Sequence, residues 1–554
     1  MRTPASDDRL DSWKEIAAFL KRGVRTVQRW EREEGLPVQR HHHRKLGSVF
    51  ASKEDVSQWW ASRAEQLDGK AGLSKRVSDK RGSARKHKLL VLPFENLSGD
   101  AEQDYFSDGL TEEMITHLAR LQPQRLGVIA RTTAMQYKGG QKSIREIARE
   151  LEIDYILEGS VRREGQQVRI TAQLIQAHDQ THLWARAYDR DLRNVLALQS
   201  EAAEEIAREI DVALAPRDRV RWARTPAVNP EAYEDYLKGR YHLNRMTPTA
   251  VGQSLQWFER ALQKDPEYGL AYASLSHACS LLATAPFDAV PPRDAMPRAL
   301  AAAQKALRIN STLPEAHAAL GVVQHHYEWN WNAAESSFKH ALALKPDYSG
   351  AHLRYAWLLL TLSRTGDALK EIQAAQRIAQ EVDPHLLVVI RATRAAAFYF
   401  AREYLKAIAE CHDAMELDAS YFLLHYLLGR CYARKGCHAK AVSALGGKKH
   451  AWGQIPLMDM GLGLAHAVTG RKAEAAAALE QLHQLAKSRY VPATYIGILH
   501  AGLNDRAQAF EWLENAYQER ADGLTLLNVE PMVDDLRSDA RFQDLVHRIG
   551  IPQA

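Results

Sequence analysis

A 34-residue repetition in the C-terminal half constrains this chain more than any other feature. Gly429, Gly463 and Gly497 stand 34 apart, as do Ala441, Ala475 and Ala509, and again Leu445, Leu479 and Leu513. Counting back from Ala441, the series continues through Ala407, Ala368, Ala334 and Ala299, in steps of 34, 39, 34 and 35 residues. A still earlier copy places Ser254, Phe258 and Ala261 before Asp265-Pro266, which makes about eight copies. Within one copy, Ala334, Phe338 and Ala341 (i, i+4, i+7) mark a helix face, and Lys345-Pro346 ends it. Small residues at these places let two helices approach closely. One helix pair cannot bury its apolar face alone, so the copies must stack. The insertion LLATAPFDAVPPRDA near 280–295 and extra residues around Asp383-Pro384 break the period and are expected to bend the stack. Beyond 520, Phe542, Leu545, Val546 and Ile549 have helical spacing, and this tail is expected to form an end cap over 521–554.

With signature positions such as Leu320-Gly321 and Pro346, residues 229–520 resemble the tetratricopeptide repeat family. The resemblance implies an all-α solenoid whose groove holds a protein or peptide. Trp357, Tyr399 and Tyr426, with the basic Arg430 and Arg434, are the candidate groove residues. The competing reading is that these aromatics pack between repeats.

Composition adds a polarity to this plan. The 554 residues are too many for one domain, and 46% hydrophobic with 25% charged residues excludes wholesale disorder. The net charge is only +5, yet residues 1–88 hold 21 Lys and Arg against 12 Asp and Glu, leaving the rest slightly acidic. A basic N-terminus points to an anionic partner. Residues 63–88, basic among Gly and Ser, read as a flexible linker, and 216–228 as a second one. No apolar run is long enough to span a bilayer, the N-terminus lacks a signal-peptide pattern, and four scattered cysteines suit a reducing compartment. The expectation is a cytoplasmic protein without membrane contact.

Residues 1–62 carry the DNA-binding expectation. Ser12 with Glu15 makes a capping box for a first helix whose apolar side is Ile16, Phe19 and Leu20. After Lys21-Arg22-Gly23, VRTVQRWEREEGLP supplies a second helix, with Val24, Val27 and Trp30 inward and Gly35 as its stop. VQRHHHRKLGSVFA then reads as two strands around Lys45-Leu46-Gly47, a basic wing, followed by a helix with Trp59 and Trp60. Thr26, Arg29, Trp30, Glu31, Gly35 and Leu36 resemble the MerR-type winged helix-turn-helix and the excisionase-like domains of the same fold. The resemblance places the second helix in the major groove of double-stranded DNA. Arg25 and Gln28 are candidates for base edges, and Arg29, Arg40, Arg44 and Lys45 for phosphates, with Arg22, Thr26 and His42 beside them. Adjacent His41, His42 and His43 alternate faces on a strand and cannot converge on one metal. The long MerR dimerisation helix is replaced by the linker, so homodimerisation is left open.

Residues 89–215 alternate strand and helix patterns in the order β-α-β-α-β-β-β-α, a small α/β module with helices on one face. It includes a Ser143/Glu146 capping box and a hairpin turning near Glu164-Gly165. VLPFENLSGDAEQDYFSDGLTEEM, ILEGSVRREGQQVRITAQLI and HLWARAYDRDL resemble the TolB-like (FlgO-like) module. That module often precedes tetratricopeptide repeats and follows a DNA-binding, kinase or cyclase domain. Asp100, Glu102, Asp104 and Asp108 read as solvated loop and cap residues, Cys431 and Cys437 as buried thiols, and KGGQKS lacks phosphate-loop spacing. No catalytic residues, metal ligands or cofactors are expected, and no enzymatic activity. The sequence therefore describes a multidomain DNA-binding regulator or signalling protein. The alternatives are a scaffold whose N-terminal domain contacts protein, or a module sensing a small ligand.

Overall fold

The computed structural model describes residues 9–10, 12–20, 27, 31, 36–41, 48–57, 59, 87–100, 103–120, 126–140, 142–165, 167–191, 201–203, 205–206, 209–210, 228–382, 386–446 and 455–552. They fall into two compact units, Met1–Arg85 and Lys86–Ala554.

In the first unit, β1 (Arg9–Leu10), β2 (Gln39–His41) and β3 (Ser48–Ser52) form an antiparallel sheet in the order β1-β3-β2. Helix α1 (Trp13–Phe19) is capped by Ser12, whose Oγ accepts from the Glu15 amide at 3.2 Å. Leu10, Ile16, Ala17, Leu20, Val27, Leu36, Ala51 and Val56 make the core, with Trp13, Val38 and Trp59 against it. Phe19, expected on the apolar side, is 40% exposed. The face buried instead runs through Ile16, Ala17 and Leu20, because the helix is only two turns long and turns Phe19 outward.

The second unit begins with a mixed sheet. Its strands are β4 (His87–Val91), β5 (Glu95–Asn96), β6 (Leu126–Val128), β7 (Tyr155–Glu164), β8 (Gln167–Gln176) and β9 (Thr181–Asp191). The order is β6-β4-β7-β8-β9, with β5 against β7. β4 runs parallel to β6 and β7, and β7, β8 and β9 form an antiparallel meander. The connecting helices are α2 (Asp104–Arg120), α3 (Arg131–Ala134) and α4 (Ile144–Leu151). α4 has the expected capping box: the Ser143 amide donates to Glu146 at 2.8 Å while Ser143 Oγ accepts from the Glu146 amide. Gly159 on β7 is required by close approach, since a Cβ there would lie 2.0 Å from the Phe94 ring.

Among the described residues, sixteen helices follow as eight pairs. They are α5 (Pro230–Leu243) with α6 (Pro248–Lys264), α7 (Gly269–Leu282) with α8 (Pro292–Ile309), α9 (Pro314–Val323) with α10 (Trp331–Leu344), and α11 (Ser349–Thr361) with α12 (Thr365–Val382). Then come α13 (Leu386–Phe400) with α14 (Tyr404–Met415), α15 (Phe422–Arg434) with α16 (His438–Gly446), α17 (Pro456–Val468) with α18 (Lys472–Ala486), and α19 (Ala493–Gly502) with α20 (Arg506–Glu519). The period is visible in the packing: a Cβ on Gly429 would lie 2.3 Å from Leu445, and one on Gly497 would lie 3.2 Å from Leu513. After α20, two 3-10 turns (Asp522–Leu526 and Pro531–Leu536) lead to α21 (Ala540–Ile549), which buries Phe542, Leu545, Val546 and Ile549.

Candidate functional site

Strands lie on either side of Lys45: β2 and β3 pair antiparallel, Arg40 opposite Val49 and His41 opposite Ser48. Val27, expected inward, is fully buried. Arg22, Arg25, Thr26, Gln28, Arg29, His42, Arg44 and Lys45 lie outside the described residues, as does the Arg40 side chain, although its backbone is in β2.

The α/β module is docked on the first helix of the solenoid. One hydrophobic core runs without a break from Leu89 and Ile156 of the sheet to Tyr233, Leu237 and Phe258 of the first helix pair. Glu112 on α2 pairs with Arg240, accepts from Asn244 at 3.0 Å and lies 3.3 Å from Arg131. Beside it, Glu234 accepts from Arg163 at 3.0 Å, Tyr105 at 2.5 Å and Lys238 at 3.0 Å. Burial would raise the Glu234 carboxyl, but these three hydrogen bonds outweigh it and hold the group at about 2. Lys138 donates to Asp104 at 3.0 Å and to Asp108 at 2.7 Å, and Asn96 donates to Asp104 at 2.9 Å. The Asn96 bond is the main reason Asp104 titrates low, whereas burial pushes Asp108 up. Asp108 is 4% exposed, so the solvated reading of this residue is corrected: the α2 register turns it under Lys138. No group of three or more potential metal ligands occurs among the described residues.

The groove candidates lie on the first helices of their pairs, and three of them, Tyr399, Tyr426 and Arg430, are on the inner face where the chain's own C-terminal segment packs. Tyr399 and Arg430 are buried beneath Glu530. Arg430 is ion-paired with Glu530, donates to Tyr426 Oη at 3.0 Å and stacks on Tyr399 at 4.4 Å and Tyr426 at 5.0 Å. Tyr399 Oη donates to the same Glu530 oxygen at 3.0 Å, as does the Met532 amide. Trp357 is half-buried with its ring edge-on to Phe400, and Arg434 is exposed.

Two more carboxylates of the segment are seated in the same manner. Asp534 accepts from Arg402 at 2.6 Å, and Asp522 bonds His326 and accepts from the Ala285 amide at 3.2 Å. The contacts reach the second, third, fifth and sixth pairs, so the solenoid curls around the segment. The insertion near 280–295 closes the curl, with Asp288 buried and accepting from Tyr495 Oη of the eighth pair at 2.6 Å. Residues 522–536 are thus part of the interior, and the end of α21 also reaches back to the third pair, where Trp331 Nε1 donates to the Gly550 carbonyl at 2.7 Å. Cys431 is buried, but Cys437 is exposed in the turn before α16, correcting its reading as a buried thiol.

The fold is a mixed α/β module continued by a helical repeat solenoid. Residues 85–205 match the family described as HilA/YgeH-like transcriptional regulator, second domain. Curated relatives include "Transcriptional regulator HilA" of Salmonella typhimurium, 22% identical over 297 residues that cover 53% of this chain and 51% of the relative. Another is "Putative adenylate cyclase 3" of Rhizobium meliloti, 36% identical over 237 residues that cover 43% of this chain and 40% of the relative. The chain therefore spans about half or less of the length of these relatives. Similar solved structures include a tetratricopeptide repeat protein from Parabacteroides merdae (13% identity, TM-score 0.36, covering 50% of this chain and 100% of that one). PilF from Pseudomonas aeruginosa is another (17% identity, TM-score 0.31, covering 45% and 98%). The expectation that the chain has no enzymatic activity is corrected by the Rhizobium relative, because the aligned 237 residues occur in a protein named for catalysis. No helix among the described residues is long and apolar enough to cross a membrane.

Proposed function

We propose that the chain is a bacterial transcriptional regulator, working in the cytoplasm, that binds double-stranded DNA through residues 1–62 and a protein partner through the solenoid. The observation that carries this reading is the regulator-family match over 85–205, directly after a basic N-terminal unit with a capped helix and an antiparallel hairpin. In this reading the second helix, not the hairpin, enters the major groove. Arg25 and Gln28 meet base edges there, and Arg29, Arg40, Arg44 and Lys45 meet phosphates, beside Arg22, Thr26 and His42. The MerR-type assignment of residues 1–62 and the TolB-like assignment of the module belong to this proposal.

The test is binding of the full chain to its genomic sites, mapped genome-wide and then measured by anisotropy on duplex DNA. Arg25→Ala with Arg29→Ala is expected to weaken binding at least ten-fold. The logarithm of affinity is expected to fall steeply and linearly with the logarithm of salt. Salt-insensitive binding, or binding indifferent to both arginines, would refute it. Paired half-sites spaced by one helical turn would add that the protein acts as a homodimer. The cyclase-named relative favours a second reading, a signalling protein in which the module and solenoid transmit partner binding. Partners captured by the full chain but indifferent to loss of DNA binding would select it.

A further inference from the structure

We infer that residues 521–537 are a displaceable internal ligand of the solenoid, and that the external partner is a peptide segment with spaced carboxylates that takes over the same seats. The inference rests on the reading that the inner face is the partner platform.

Three observations carry it. First, the segment is held as a ligand would be. Its carboxylates Asp522, Glu530 and Asp534 each meet a basic side chain from a different helix pair: His326, Arg430 and Arg402. Second, the segment is built from two short 3-10 turns, which lack the cooperative hydrogen bonding of an α-helix and hold their shape mainly through what they dock against. Third, it leaves parts of the face unserved. Trp329 Nε1, Thr494 Oγ1 and Arg430 Nε are buried without a hydrogen-bond partner among the described residues. Trp329 lies under Arg520 at 4.1 Å, just before the segment, and Thr494 Oγ1 lies 2.8 Å from where a Gly523 Cβ would stand. Buried donors without acceptors are costly, and a ligand that supplied further acceptor oxygens at these places would bind the face better than the tail does.

A tethered occupant competes at an effective concentration on the order of millimolar, so an outside peptide sees only the fraction of molecules whose tail is out. Charge-assisted seats make that fraction adjustable: weakening the tail's carboxylates leaves the seats intact and raises it.

The experiment uses the full chain and a labelled synthetic peptide with the sequence of residues 521–537 as probe. Glu530→Gln with Asp534→Asn is expected to bind the probe at least ten-fold more tightly than the unmodified chain. Backbone hydrogen exchange of 521–537 should accelerate while that of the paired helices stays slow. A probe with its acidic side chains replaced by amides should bind at least ten-fold more weakly. Arg402→Gln, at a half-exposed pair and so safe for folding, should also speed exchange of the segment yet leave probe affinity near that of the unmodified chain, because the seat is lost to tail and probe alike. Unchanged exchange and unchanged binding in the double variant would overturn the displaceable tail while leaving the inner face as a platform for another ligand. Faster exchange without probe binding would overturn both the inference and the platform reading beneath it. Equal binding of the amide probe would overturn the acidic class of partner.

Discussion

Asp288 offers the sharpest test of the closed solenoid. Its carboxyl is fully buried at the seam, bonded to Tyr495, with Asp522 and Glu519 as acidic neighbours and Arg489 as the compensating cation. Burial is the main cause that pushes it up to about 7; the Tyr495 hydrogen bond opposes the shift and Asp522 adds to it. In the unfolded chain the group titrates near 3.8. The folded state therefore keeps a proton that the unfolded state has lost between these two values. The contribution is complete below 3.8, falls as pH rises to 7 and is gone above it. A gap of about 3 pH units corresponds to about 4 kcal/mol. The Lys86–Ala554 unit has an unfolding entropy of about 1 kcal/mol/K at about 2.1 cal/mol/K per residue, so the shift is about 4 °C if the unit melts as one. Asp288→Asn removes the titration and keeps an acceptor for Tyr495. The variant is expected to melt about 4 °C above the unmodified chain at pH 8 and level with it at pH 4, by calorimetry. The comparison is made at each pH because the half-buried His277 and the buried His325, both shifted down by desolvation, titrate with the opposite sign. An equal difference at both pH values would refute the reasoning.

Further outcomes follow from the packing and the docked module. Gly429→Ala drives a methyl into Leu445 and should lower stability by about 1–2 kcal/mol net of the helix-propensity gain, whereas Gly252→Ala, with nothing within 4 Å, should raise it by about 1 kcal/mol. Thermal melts that rank the two in reverse order would contradict the packing. Arg240→Met strips Glu112 of its main partner and should accelerate hydrogen exchange in α2 at least ten-fold with little change in α15–α18; equal acceleration everywhere would mean the module and solenoid open only together. Glu234, held low by its three donors, should let the module loosen as pH falls from 4.5 to 2, and Glu234→Gln should remove that acid dependence of exchange in α2.

What was legible in the sequence is what local spacing encodes. The triplet Ala334, Phe338, Ala341 gave the packing face of α10, Ser143 with Glu146 gave the start of α4, and Val27 was rightly turned inward. The closure was not legible, because its partners are far apart along the chain: Glu530 and Arg430 are 100 residues apart, Tyr495 and Asp288 207, and Tyr105 and Glu234 129. No periodicity ties such pairs together, and each residue taken alone reads as an ordinary surface charge or core aromatic. Tyr399, Tyr426 and Arg430, read as candidates for a partner's groove or for packing between repeats, are buried, and nothing local shows that the acid above them comes from the same chain. Cys437 is exposed because the helix before it ends at Arg434 and leaves the thiol in a basic turn next to Gly436.

The buried tail also sets a timetable for synthesis. Many repeat proteins can consolidate pair by pair as they leave the ribosome, since each unit needs only its neighbour. Here His326 must wait for Asp522, a separation of 196 residues. At roughly 5–20 residues per second that is a delay of about 10–40 seconds, during which the inner faces of the helix pairs already made stay uncovered. Until residues 522–536 emerge, those faces are exposed apolar surface of the kind that chaperones shield. Ribosome stalling just after Glu519, where the last paired helix ends, would yield a product with every repeat present and its interior unlined.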